Sequence, residues 1–178
     1  METIVQDGDP VLREVANEVL PEEFGTPALQ TILANMREAL DAQPDGVALA
    51  APQIGVSKRI FIVRYDRLTT PPEGVVVPAD VGVYINPEFT RTSRKREYMD
   101  EGCLSVRRIY GKAYRFIRAS VRAQDEHGSY FERGGGGLLA QIFQHETDHL
   151  NGFLFIDHAE ELYELRPTGS RALEDTHE

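Results

Sequence analysis

The chain has 178 residues, 41% of them hydrophobic, enough for one globular domain with a real core. Its formal net charge of −10 argues against a protein that coats nucleic acid, and no apolar run approaches the roughly 18 residues a membrane span needs. A single cysteine rules out an intramolecular disulfide and fits a reducing compartment.

Taken in chain order, the pattern is that of a mixed α and β domain without repeats. The opening residues, Met-Glu-Thr-Ile-Val-Gln-Asp, lack the basic-then-apolar layout of a signal peptide, so a cytoplasmic location with no membrane partner is expected. Thr26 is placed to cap a helix with Pro27 at its first position, and Leu29, Ile32, Leu33, Met36 and Leu40 recur at helical spacing. Gln43-Pro44-Asp45-Gly46 stops that helix. Arg59 to Tyr65 reads as a buried strand, Thr69 to Asp80 as a loop, and Val81 to Ile85 and Ser120 to Gln124 as further short strands. Between Arg91 and Arg122 ten bases face three acids, a net of +7. This strip is either a set of solvated strand faces or a surface for an anionic partner; no specific nucleic-acid binding is expected. Gly134 to Gly137 closes the strand section, and Leu138, Leu139, Ile142, Phe143 and Leu150 mark one side of a second helix, which Asn151-Gly152 can end. From residue 157 to 178 seven acids face two arginines, a net of −5, so half of the net charge lies at this end.

The second helix carries Gln144-His145-Glu146-Thr147-Asp148-His149. Residues i and i+4 share a helix face, so His145 and His149 can grip one metal ion while Glu146 reaches a water beside it. A catalytic site of this kind takes three protein ligands and keeps one position open, so a third ligand must come from elsewhere. Cys103, in Glu101-Gly102-Cys103-Leu104-Ser105, is the candidate, and a thiolate with two imidazoles suits Zn²⁺ or Fe²⁺. A third segment, Gly46-Val47-Ala48-Leu49-Ala50-Ala51-Pro52-Gln53, is small enough for a substrate backbone to run alongside, and Gln53 offers an amide donor.

These three segments, in this order, resemble the three motifs of the peptide deformylase family, and the likeness runs from Gly8-Asp9-Pro10-Val11-Leu12-Arg13 to Gly152-Phe153-Leu154-Phe155. The resemblance implies antiparallel β-sheets packed around a central metal-binding α-helix in a single α+β domain, residues 1–165; the polar acidic tail expected at 166–178 lies outside the likeness. It implies hydrolysis of the N-formyl group from the methionine that starts bacterial-type nascent chains, with release of formate. It assigns Cys103, His145 and His149 as ligands of one divalent metal ion, Fe²⁺ as the physiological ion, with Zn²⁺, Ni²⁺ or Co²⁺ able to substitute. It assigns Glu146 as general acid/base, and Gln53 with the Leu104 N–H as oxyanion donors. Gly46, Val47, Ala48, Gly102, Tyr110 and Ile142 would line the substrate, and Arg115 would pair with Asp148 to brace the metal helix.

The chain departs from the family pattern at two of these positions. Ala48 replaces a motif glycine, and a substrate-side arginine position falls on Tyr110. The family's basic ribosome-contacting terminus is matched here by an acidic one, which shifts any ribosome contact to the strip between Arg91 and Arg122. Two alternatives accompany this reading. One is a zinc metalloprotease with a downstream carboxylate, Asp157, Glu160 or Glu161, as third ligand; the other is a deformylase-like binding protein without turnover.

Overall fold

Thr26 opens the first helix as its sequence position suggests: its Oγ accepts a hydrogen bond from the Leu29 N–H at 3.3 Å, and Pro27 fills the first turn. The helix, α1, runs Pro27–Asp41 and buries Leu29, Leu33, Met36, Ala39 and Leu40. A computed structural model describes residues 3–165; the acidic tail expected at 166–178 lies outside the described residues. After α1 come β1 (Ala48–Ala50), β2 (Ile60–Arg64), β3 (Val81–Thr92), β4 (Arg96–Cys103), β5 (Val106–Phe116), β6 (Arg118–Gln124) and β7 (Tyr130–Gly136), then α2 (Gly137–Leu150) and β8 (Glu160–Glu164).

The strands form two antiparallel sheets, one ordered β1-β2-β3-β6-β7 and one ordered β4-β5-β8. Every residue of β2 is buried, because the larger sheet is covered on both faces. Alternation along the strand then sorts the side chains: Ile60 and Ile62 join Leu29, Leu33 and Met36 of α1, while Phe61 and Val63 join Ala140, Ile142 and Phe143 of α2. Tyr84 stacks on Phe61 at 4.6 Å between ring centres and completes the α2 side. Each such aromatic, fully removed from water, contributes about 1.5–3 kcal/mol, so the helix that carries His145 and His149 is held from behind by the core.

β3 runs past the expected end at Ile85, through Asn86 and Pro87, by way of a register shift between Ile85 and Glu88. Asn86 adopts a φ of 50°, and its side chain accepts from the Val19 N–H at 2.9 Å and donates to the Val19 carbonyl at 2.8 Å. Those bonds substitute for the ladder that the irregular pair interrupts. The segment 69–80 is a loop, as expected, and the second helix ends at Asn151-Gly152. Only glycine fits at 152: its φ is +80°, and a Cβ there would stand 2.6 Å from the Arg13 carbonyl oxygen.

The basic strip proves to be mostly strand surface whose charges are met within the fold. Arg107 pairs with Asp45 at 2.9 Å, Arg108 with Glu164 at 2.8 Å and Lys112 with Glu161 at 2.8 Å. Lys95 pairs with Glu97, Arg96 lies over the Tyr114 and Phe116 rings, and Arg122 lies over Tyr130.

Candidate active site

Cys103 ends β4, where the register against β5 shifts between Gly102 and Cys103, and this break turns the thiol toward α2. Across the gap, His145 and His149 project from one face of the helix. The Cys103 Sγ and His149 Nε2 are 3.2 Å apart, and ligand atoms of Cys103, His145 and His149 lie within 4.8 Å of one another. The His145 Nδ1 contacts the Glu101 Oε1 at 2.6 Å, which leaves its Nε2 for the cluster. A soft thiolate donor and two imidazoles at this spacing fit one divalent ion of the zinc or iron type.

Glu101 is the hub behind this cluster. Besides His145 it receives Arg115 through Nε at 3.0 Å and Nη2 at 2.5 Å, and Gln141 Nε2 at 3.1 Å. Burial pushes its pKa up, yet the bonds from His145 and Arg115 win and hold the carboxyl well below the usual carboxylate range. Arg115 also donates to Asp148 at 2.7 Å, the pairing the sequence suggests, while two of its N–H groups go to Glu101. Sequence reading gave Glu101 no role. Its closeness to Cys103 in the same segment was the available signal, but the register break between Gly102 and Cys103 keeps simple alternation from giving its direction.

The two imidazoles differ. Burial lowers both, but for His145 the Cys103 sulfur and the Glu101 carboxylate outweigh it and raise its pKa well above the ordinary value. His149 stays well below its ordinary value, through burial and then the neighbouring His145. The groups that draw a proton to His145 are those that would draw a metal cation.

Glu146 is buried beside the cluster, and its Oε2 has no hydrogen-bond partner among the described residues. Burial pushes its pKa up to about 7; His145 opposes the rise, and Glu101 and Asp148 add to it. Such a group can hold or release a proton near neutrality. Gln53 is fixed by three contacts: its Oε1 accepts from the Ala50 N–H at 2.9 Å, and its Nε2 reaches Ser105 Oγ at 3.2 Å and Cys103 Sγ at 3.6 Å. Leu104 follows in the turn, its carbonyl held by Gln6 at 3.0 Å.

A cleft of ≈ 280 Å³ opens over these groups. Gly46, Val47, Ala48, Gly102, Tyr110 and Ile142 all line it, together with Gln53, Cys103, Leu104, His145 and Glu146. Ala48 belongs to the buried cluster on the α2 side, with Ile142 and Phe143. Tyr110 lies against Gly102, where a Cβ would come within 2.7 Å of its ring, and it stacks on Tyr163 of β8 at 5.9 Å. Sequence reading did not place Arg107, Arg108 or Gln141 on the cleft wall; the structure does.

The carboxylates of the protease alternative lie elsewhere. Asp157 pairs with Arg13 at 2.6 Å, Glu160 accepts from the Tyr98 hydroxyl at 3.1 Å, and Glu161 pairs with Lys112 at 2.8 Å. Among the described residues no carboxylate joins the two histidines and the cysteine.

A Cys-His-His cluster, a buried carboxyl poised near neutrality and an open cleft define a metal-dependent hydrolase. The family model described as polypeptide deformylase matches residues 1–164, and the chain belongs to that family. It is 38% identical over 163 residues to a peptide deformylase from Desulforudis audaxviator, covering 92% of this chain and 96% of the relative. It is also 38% identical to peptide deformylase 1A, chloroplastic/mitochondrial, from Arabidopsis thaliana, over 86% of this chain; the match spans 60% of the length of that relative. A Met-Ala-Ser-bound class I type b peptide deformylase from Acinetobacter baumannii superposes with a TM-score of 0.76 at 31% identity, over 88% of this chain and 97% of that one.

Proposed function

We infer that the chain removes the N-formyl group from the starting methionine of newly made polypeptides and releases formate. The observation that carries this is the thiol and two imidazoles gathered within 4.8 Å beside the buried Glu146, in a chain whose family model covers residues 1–164. Cys103, His145 and His149 would hold one divalent ion, which supplies Lewis acidity and brings the pKa of a water toward neutrality. Glu146 takes the proton from the attacking water and passes it to the departing amine. The Gln53 amide and the Leu104 N–H stabilise the negative oxygen that forms on the formyl carbon, each worth about 3 kcal/mol in comparable sites. Gly46, Val47 and Ala48 on one wall and Gly102 and Tyr110 on the other hold the peptide, while Ile142 lines the methionine end. A formyl carbon bears only hydrogen, so a narrow end to the cleft excludes acetyl groups by size.

We propose Fe²⁺ as the native ion, with Zn²⁺, Ni²⁺ or Co²⁺ as substitutes; the thiolate in the ligand set makes an iron site prone to oxidation. The substrate places the enzyme beside the ribosome, in the cytoplasm of a bacterial-type cell. No described helix is long and apolar enough to cross a membrane. Formate release from formyl-Met-Ala-Ser tests the activity: wild-type protein turns over, and Glu146→Gln keeps its metal while losing at least about a hundredfold in kcat. A wild-type protein that holds metal but releases no formate would return the reading to a binding protein. Cys103→Ser should lose both metal and activity, whereas a protease with a carboxylate ligand would keep them. Metal analysis after anaerobic purification settles the ion, and a fully active protein filled mainly with zinc would overturn the iron assignment.

A further inference from the structure

The larger sheet has a second concavity, on the face turned away from α2. On β6, Ala119, Val121 and Ala123 point into the core with Phe143, so Arg118 and Ser120 point outward. Register places Arg91 of β3 and Gly134 of β7 on either side of Ser120. Together with Thr92 these residues line a groove of ≈ 400 Å³, separate from the catalytic cleft, that has no carboxylate in its wall. Gly134 keeps the floor open: a Cβ there would stand 2.7 Å from the Ser120 Oγ.

The charges of this groove are what set it apart. Almost every other cationic side chain among the described residues is bonded to a carboxylate or a carbonyl, or lies on an aromatic ring. Among the described residues the guanidinium groups of Arg91 and Arg118 in the groove wall, and that of Arg94, have no partner, and neither has the Ser120 hydroxyl opposite Arg91. Arg94 sits in the short connection from β3 to β4, next to the groove. In a protein with a net charge of −10 and acids to spare, two unpaired cations in a groove without carboxylates, and a third on the adjoining connection, leave a local positive field for an anion to neutralise.

We propose that this groove binds the phosphate backbone of single-stranded RNA, without reading its sequence. Guanidinium groups match phosphate oxygens bidentately, the Ser120 hydroxyl adds a neutral donor, and the glycine floor lets a backbone approach closely. The proposal does not depend on the hydrolase reading, because none of these residues lines the catalytic cleft.

The test uses the full chain, zinc-loaded, and a fluorescein-labelled 20-nucleotide oligouridylate, with binding followed by anisotropy. Three phosphate contacts give a log-log salt slope of about −2 for a single strand. Arg91→Glu/Arg118→Glu should bind at least about tenfold more weakly and with a shallower slope, as should Arg91→Gln/Arg118→Gln to a lesser degree. Arg37→Glu, which removes an exposed cation paired to Glu126 elsewhere, should bind RNA as the wild type does. Formate release should be the same in all of these proteins. Unchanged RNA binding in both double variants, salt-independent binding, or equal displacement by polyglutamate of matched charge would overturn the proposal. Inorganic phosphate that competes as well as the oligonucleotide would also overturn it, by reducing the groove to a small-anion site.

Discussion

Glu101 shows how much one buried carboxylate can settle. Its two oxygens are shared among His145, Arg115 and Gln141, so it fixes the tautomer and direction of the His145 imidazole and ties β4, β5 and α2 together. Arg115 is buried too, and removing one member of such a pair leaves the other uncompensated. Glu101→Gln retains an oxygen for His145 but strips the charge from the hub. Metal affinity should fall by about 10–100-fold, the usual consequence of losing a hydrogen-bond partner behind a ligand histidine. Titration with a chelator measures this, and an unchanged midpoint would reduce Glu101 to a packing residue. Arg115→Ala should lower stability by about 3–5 kcal/mol in denaturant unfolding, because buried Glu101 then keeps its charge without the guanidinium that bonds both of its oxygens.

At the level of elements, α2 is registered against the sheets by a side chain that imitates a strand. Gln144 accepts from the Phe116 N–H at 2.9 Å and donates to the Phe116 carbonyl at 2.9 Å, filling both ladder positions where β5 gives way to β6. Gln144→Ala would leave that peptide group buried and unpaired, a cost of roughly 2 kcal/mol or more. A melting temperature within a degree of wild type would show that water takes over both bonds. The helix itself was legible in the sequence, as were α1 and β2, because their patterns are local: a cap with helical spacing, or a run of apolar residues. The Cys-His-His cluster was legible too, in His145 and His149 through their local spacing and in Cys103 through the need for a third donor. What escaped was nonlocal. The second half of β3 hides behind Asn86 and Pro87, where Asn86 bonds to Val19, far off in the chain. β4 and β5 carry so many charges that they read as a basic strip, since the acids that pair with them sit on other segments. The Gln144 clamp and the Glu101 hub depend on partners that only the fold brings near.

For the molecule as a whole, pH sets two effects against each other. With a net charge of −10, mild acidification relieves self-repulsion and should stabilise the fold at first. Against this stand carboxylates whose native partners favour the charged form, of which Asp66 is the clearest. The bonds from Arg64 are the main cause: Nε donates to one oxygen at 2.8 Å and Nη2 to the other at 2.7 Å, and the Asp80 N–H adds a third at 3.0 Å. They hold the carboxyl far below the usual carboxylate range. Because the Tyr65 N–H also bonds the Asp80 carbonyl at 2.8 Å, this cluster closes the base of the loop between β2 and β3. A group with a depressed native pKa adds stability that is fully present above its unfolded value, near 4, and lost as pH falls through the native one. Stability should therefore be highest somewhat above pH 4 and decline below it. Asp66→Asn cannot titrate and loses part of the Arg64 pairing, so it should be less stable than wild type at pH 7, by about 2 kcal/mol. The gap between the two proteins should then narrow between pH 5 and pH 2, as wild type loses what the variant never had. Denaturant melts of both proteins across that range decide the point, and a gap that stays constant would mean that Asp66 contributes nothing to acid sensitivity.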